Sequence, residues 1–271
     1  MLPSRYPSRR AAIVPLIIIS MLLTAQAPVP EPVSDTETEL GLAVYNELKT
    51  KGEIIAASPL YDSLGPVAES ISKIAQTRYE HPFRFFLVHE PRPNAFSVPG
   101  GNVYVTDALM YFVRNREELA GTLCHEVAHT IHHDAMTKAR ESEKVLARQV
   151  GAAILLGPTL AHAIAISMLG DLQSQAYSRD IETAADLTGS EICAAAGINP
   201  WGLVWLFQDF QDSDPRQTPE LLSDHPGNEK RINALEKHFR ENPSLFSKFN
   251  QDRASATPFS APQDAPIRFL R

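Results

Sequence analysis

Two histidines stand four residues apart in the segment His125-Glu-Val-Ala-His129. On an α-helix, positions i and i+4 share one face a turn apart, so both imidazoles point to the same side. Such a pair supplies two ligands of a tetrahedral zinc ion, and Glu126, beside the first, is placed to activate a water rather than to bind metal. The fold must therefore bury a helix with a polar face and bring a third ligand to it from another element.

The spacing of that third ligand narrows the choice. A metzincin would place Gly and a further His in the same stretch, but His132 stands at the Gly position and Ala135 at the His position. His132 and His133 then read as solvated helix residues or neighbours of a substrate. A gluzincin takes a Glu from a later helix, and the segment Ser178-Arg-Asp-Ile-Glu182-Thr-Ala-Ala-Asp186 offers one. Glu182 and Asp186 are again four apart on one face. Glu182 can complete the ligand set, while Asp186 can accept a hydrogen bond from a ligand histidine and fix its tautomer.

Apolar periodicity places these segments in a mainly helical chain with a small β-hairpin. Helices are expected over residues 39–51, 60–76, 108–113, 116 to about 146, 180–196, 201–210 and 228–240. A strand is expected at 83–88, and two β-prone stretches around Pro99-Gly100-Gly101 make a hairpin over 94–106. Residues 150–170 are nearly uncharged. The Gly157-Pro158 break and His162 favour a buried helical hairpin or an active-site cover over a membrane span.

The ends read differently. Arg5, Arg9 and Arg10 precede an apolar run from Ala11 to Leu23 and the small-residue pattern Ala25-Gln-Ala27, which marks residues 1–27 as a secretory signal peptide. Its removal takes the formal net charge from −7 to −10, and an acidic chain is a poor partner for nucleic acid. Residues 28–37 read as a linker, 38–248 as one domain, and 249–271 as a disordered tail. Cys124 and Cys193 are the only cysteines. They are either two small buried residues or one bridge, and spacing does not decide between them.

Four ordered motifs carry a resemblance. They are Asn94-Ala-Phe-Ser-Val-Pro-Gly-Gly-Asn-Val-Tyr-Val-Thr106, Glu118-Leu-Ala-Gly-Thr-Leu-Cys-His-Glu-Val-Ala-His129, Glu182-Thr-Ala-Ala-Asp186 and Asp224-His-Pro-Gly-Asn-Glu-Lys-Arg231. Together they are similar to those of peptidase family M forty-eight, zinc-dependent gluzincins, over residues 38–240. The resemblance implies a zincin-like fold, one Zn2+ per chain on His125, His129 and Glu182, and Glu126 as base. It also implies that His225 acts in oxyanion stabilisation or as a fourth, latency-giving metal contact. Arg231 is expected to support the His225 loop, Pro99-Gly100-Gly101 to shape an edge strand for substrate, and Asn94 to be structural.

The chain so read is an exported, periplasmic metalloendopeptidase of envelope or exported proteins, of use in protein quality control. It lacks the flanking transmembrane helices and helical repeats of other members. Its partners are protein or peptide substrates and no nucleic acid, with peripheral membrane association and oligomeric state left open. The competing reading is an envelope chaperone or assembly factor with a latent protease site.

Overall fold

In the computed structural model, the residues described are 35–138, 140–141, 163, 177–211, 228–259, 261 and 268–269. The signal peptide, residues 150–170 apart from 163, and His225 lie outside them.

The chain enters through helix α1 (Thr36–Thr50), whose first amides are capped by the Asp35 carboxylate, which accepts from the Thr38 N–H at 2.8 Å. Strand β1 (Ile54–Ala57), helix α2 (Leu60–Ala75) and strand β2 (Arg84–Val88) follow. Strands β3 (Ala95–Val98) and β4 (Asn102–Thr106) pair antiparallel as the expected hairpin. Gly100 and Gly101 both adopt φ of 81°, which a side chain would strongly disfavour.

The sheet extends well beyond the hairpin. β2 pairs parallel with β4, β1 antiparallel with β2, and a short β5 (Arg268–Phe269) adds to β1, giving the order β3-β4-β2-β1-β5. β3 therefore forms one edge. Alternation sorts the side chains: Leu87, Val103 and Val105 face the main core, while Phe86, Tyr104 and Val98 pack with Val44 and Leu48 of α1.

Helix α3 (Asp107–Phe112) leads into α4 (Arg116–Ile131), the central helix. Asn115 caps α4 by accepting from the Glu118 N–H at 2.8 Å. Every residue from Glu117 to Thr130 is buried, so α4 is packed on all sides rather than amphipathic. Helix α5 (Arg179–Ala195), capped by Ser178, and helix α6 (Trp201–Gln211) pack against it, and helix α7 (Asn228–Glu241) and the short α8 (Pro243–Phe246) close the bundle. α4 and α5 approach closely at Gly189, where a Cβ would lie 2.9 Å from the Cys124 backbone. Cys124 and Cys193 form a disulfide with Cα atoms 6.0 Å apart, tying α4 to α5.

Three expectations are corrected. The helix expected from 116 to about 146 breaks after Ile131: His132 caps it, His133 takes φ of 56°, and residues 134–138 are helical again. The linker assigned to 28–37 ends earlier, because Thr36 and Glu37 already belong to α1.

Part of the tail expected to be disordered is folded. Arg253 donates to Asp209 at 2.6 Å, Thr257 donates through its N–H and hydroxyl to Glu117, both at 2.9 Å, and Trp205 donates to the Gln251 carbonyl at 3.1 Å. The cause lies in the partners. Glu117 and Asp209 are buried carboxylates, and the tail supplies the donors that such groups require.

Candidate metal centre

Helical register on α4 and α5 builds the site. Residues four apart on α4 bring the Nε2 atoms of His125 and His129 to 3.0 Å. From α5, the Glu182 carboxylate comes within 3.5 Å of His125 Nε2 and 3.6 Å of His129 Nε2. All three side chains are buried, and one ligand atom from each lies within 4.8 Å of the others.

These separations can be compared with what a metal needs. Ligands at about 2.0–2.1 Å from a tetrahedral zinc stand about 3.3–3.4 Å from one another. The spread of 3.0–3.6 Å brackets that spacing. Two imidazoles and one carboxylate form the donor set of a catalytic zinc site with room for a further ligand, so the residues present fit the ion.

A carboxylate stands behind each histidine. The Asp186 Oδ1 lies 2.9 Å from His125 Nδ1. Arg231 from α7 then grips Asp186 with two bonds, Nε to Oδ2 at 2.7 Å and Nη2 to Oδ1 at 2.6 Å. Its Nη1 lies 3.0 Å from Glu182 Oε2, and its guanidinium covers the Phe207 ring at 4.3 Å. Arg231, expected to support the His225 loop, is thus an interior part of the site. On the other side, His129 Nδ1 lies 2.8 Å from Asp134 Oδ2, and the Tyr177 ring stacks on the imidazole at 4.5 Å.

Burial and neighbouring charge set the protonation of these groups. Burial, reinforced by His129, holds the His125 pKa down to about 3, which keeps a lone pair available. Burial acts in the same direction on His129 but is outweighed by Asp134, Glu126 and Glu182, so its pKa is raised. Burial also opposes ionisation of Asp186, yet Arg231 and His125 hold its carboxyl well below the usual range.

Burial pushes the Glu126 carboxyl up to about 7, with Glu182 adding to the rise and His129 and Ser97 acting against it. Ser97 lies on β3, so its influence on Glu126 comes from the edge strand.

The structure therefore brings His125, Glu126, His129, Glu182 and Asp186 into one buried cluster. His132 and His133 stay outside it: His132 contacts Thr188 at 3.0 Å, and His133 pairs with Glu37 at 2.8 Å. The Asn94 N–H donates to the Thr106 hydroxyl at 2.9 Å. Asp134, Tyr177 and Ser97 were not singled out from sequence. Asp134 could have been noticed as an acid close to the second histidine, but nothing in the spacing aims it there.

Comparison with known proteins gives an independent view of the same residues. Residues 63–238 match Peptidase family M48. The beta-barrel assembly-enhancing protease of Escherichia coli is 25% identical over 245 residues, covering 81% of this chain and 50% of that protein. The mitochondrial metalloendopeptidase OMA1 of Saccharomyces cerevisiae is 28% identical over 223 residues, covering 74% and 63%. The OMA1 protein of Schizosaccharomyces pombe is 28% identical over 167 residues, covering 57% and 46%. The chain spans about half the length of the relatives it matches.

Proposed function

The chain belongs to peptidase family M48, and on that premise we propose that it hydrolyses internal peptide bonds of proteins with His125, His129 and Glu182 as zinc ligands and Glu126 as base. The observation that carries this reading is the meeting of three buried ligand groups from α4 and α5 with Glu126 beside them.

When bound, zinc supplies Lewis acidity, polarising a carbonyl and lowering the pKa of a water ligand to about 7. The chain's own groups do the rest. Glu126 takes the proton of the attacking water and passes it to the leaving amine, work suited to a carboxyl whose pKa lies near neutrality. Ser97 favours the ionised form of that carboxylate. Asp186 orients His125, and Arg231 keeps Asp186 ionised and fixed. An extended substrate can pair with β3, the sheet edge nearest Glu126.

The role of His225, oxyanion stabilisation or a fourth metal contact that imposes latency, is retained from the family resemblance. His225→Ala separates the two: activity falls if the residue stabilises the oxyanion and rises if it blocks the site.

We assign the substrates to envelope or exported proteins and the location to the periplasm. Support comes from the signal-peptide pattern of residues 1–27 and from a disulfide of the kind that persists in oxidising compartments. Among the described residues, no helix is long and apolar enough to cross a membrane.

The test is Glu126→Gln, which should keep its metal and lose casein-type cleavage; undiminished cleavage would remove Glu126 from the mechanism. A second reading, assembly factor with a latent protease site, is favoured by the name of the Escherichia coli relative. Full rescue of a null phenotype by Glu126→Gln would transfer the biological role to that reading.

A further inference from the structure

The two ligand histidines are served by two different carboxylates. His125 has Asp186, four residues beyond Glu182 on α5, and His129 has Asp134, which sits five residues further along its own chain segment. Five residues is the wrong spacing for a continuous helix. Residue i+5 lies about 500° round, on another face from residue i, and only i+3 and i+4 are neighbours.

The contact exists because α4 stops. His132 caps the helix and His133 adopts φ of 56°, a left-handed conformation that residues other than Gly rarely take. The turn carries the next residue back beneath the helix end, and the Asp134 carboxylate arrives 2.8 Å from His129 Nδ1. The His133 Nδ1 lies 2.8 Å from the Glu37 carboxylate of α1, and Glu37 in turn accepts from the Tyr79 hydroxyl.

A residue just before α5 also covers His129. Tyr177 stacks on the imidazole with an interplanar angle of 18°, and Lys138 Nζ lies 3.6 Å from the Tyr177 centroid. The Asp134 carboxylate stands 3.9 Å from His132 Nδ1, too far for a hydrogen bond, so its short contact is with His129.

We propose that Asp134 is the positioning residue for His129, accepting the Nδ1 proton so that Nε2 faces the metal, and that the left-handed turn at His133 delivers it. This rests on His129 being a zinc ligand. A carboxylate in that position fixes the tautomer and ring direction of a ligand histidine and raises its basicity, and removing such a partner weakens metal binding by about 10–100-fold. A purely structural Asp134 would act only as an acid in the first turn of the helical segment 134–138.

The experiment measures zinc affinity by chelator competition on the full-length protein, together with the melting temperature of zinc-free protein and the visible spectrum of the Co2+ form. Asp134→Ala should lose about 10–100-fold in zinc affinity and alter the Co2+ bands, with zinc-free melting unchanged. Asp134→Asn, which still offers an oxygen to Nδ1, should fall between it and wild type. His133→Gly, free to adopt positive φ, should keep near-wild-type affinity, whereas His133→Val should lose affinity with Asp134 intact.

Wild-type affinity in Asp134→Ala would overturn the proposal. So would an affinity loss matched by lower melting of the zinc-free protein. Glu182→Ala keeps the two readings apart: if it loses zinc while Asp134→Ala does not, only the role of Asp134 fails. If wild type and Glu182→Ala bind zinc alike, the ligand assignment itself fails.

Discussion

Arg231 lies across Asp186 in a two-bond grip, Nε to Oδ2 at 2.7 Å and Nη2 to Oδ1 at 2.6 Å, while its Nη1 reaches Glu182 at 3.0 Å. One buried cation from α7 thus contacts two carboxylates from α5. Removing one member of such a group leaves charge buried without compensation. Arg231→Met should destabilise the zinc-free protein by about 3–5 kcal/mol in denaturant titration. Arg231→Lys, which keeps the charge but not the planar fork, should lose less. Equal stability of Arg231→Met and wild type would show that the grip is not needed for folding.

The disulfide joins the helices that carry the three candidate metal ligands, across a sequence separation of 69 residues. In the chain-entropy account, closing a loop of that length stabilises the native state by roughly 4 kcal/mol. A Cys124→Ala, Cys193→Ala double variant should therefore melt lower than the oxidised wild type, and a reducing agent should lower the wild-type melting temperature without affecting the variant. An unchanged wild-type transition under reductant would contradict this.

Gly189 meets the Cys124 backbone where α5 crosses α4, and a Cβ there would lie 2.9 Å from backbone atoms and 3.0 Å from the His125 N. Gly189→Ala must push the helices apart beside the first ligand, at a cost of about 1–3 kcal/mol typical of overpacking. Zinc affinity should fall along with stability, and a variant with wild-type values for both would show that the helices can separate freely at this point.

Ser97, on the edge strand, favours the ionised form of Glu126. Ser97→Ala keeps the backbone and removes the hydroxyl, so kcat should fall several-fold with zinc content unchanged; an unaltered kcat would mean that the hydroxyl has no part in tuning the base.

The sequence discloses the site unevenly. His125 with His129 and Glu182 with Asp186 were legible because helical spacing of four puts each pair on one face, and Glu126 because it adjoins the first histidine; chemistry then demands that the two faces meet. Arg231 was visible only as part of a motif, since its contact with Asp186 spans 45 residues and depends on how α7 packs. Asp134 was hidden by the helix break at His133, a backbone event that the apolar pattern does not record. β1 and β5 have four and two residues, too short for alternation to identify. Residues 250–259 looked disordered because their own composition is polar, whereas their order comes from Glu117 and Asp209, buried acids far away in sequence.

The central claim is that His125, His129 and Glu182 together hold one zinc ion, and elemental analysis of purified wild type beside Glu182→Ala tests it most directly. The account predicts about one zinc per chain in the wild type and its loss from the variant. Full zinc retention in Glu182→Ala, or no zinc in the wild type, would contradict it.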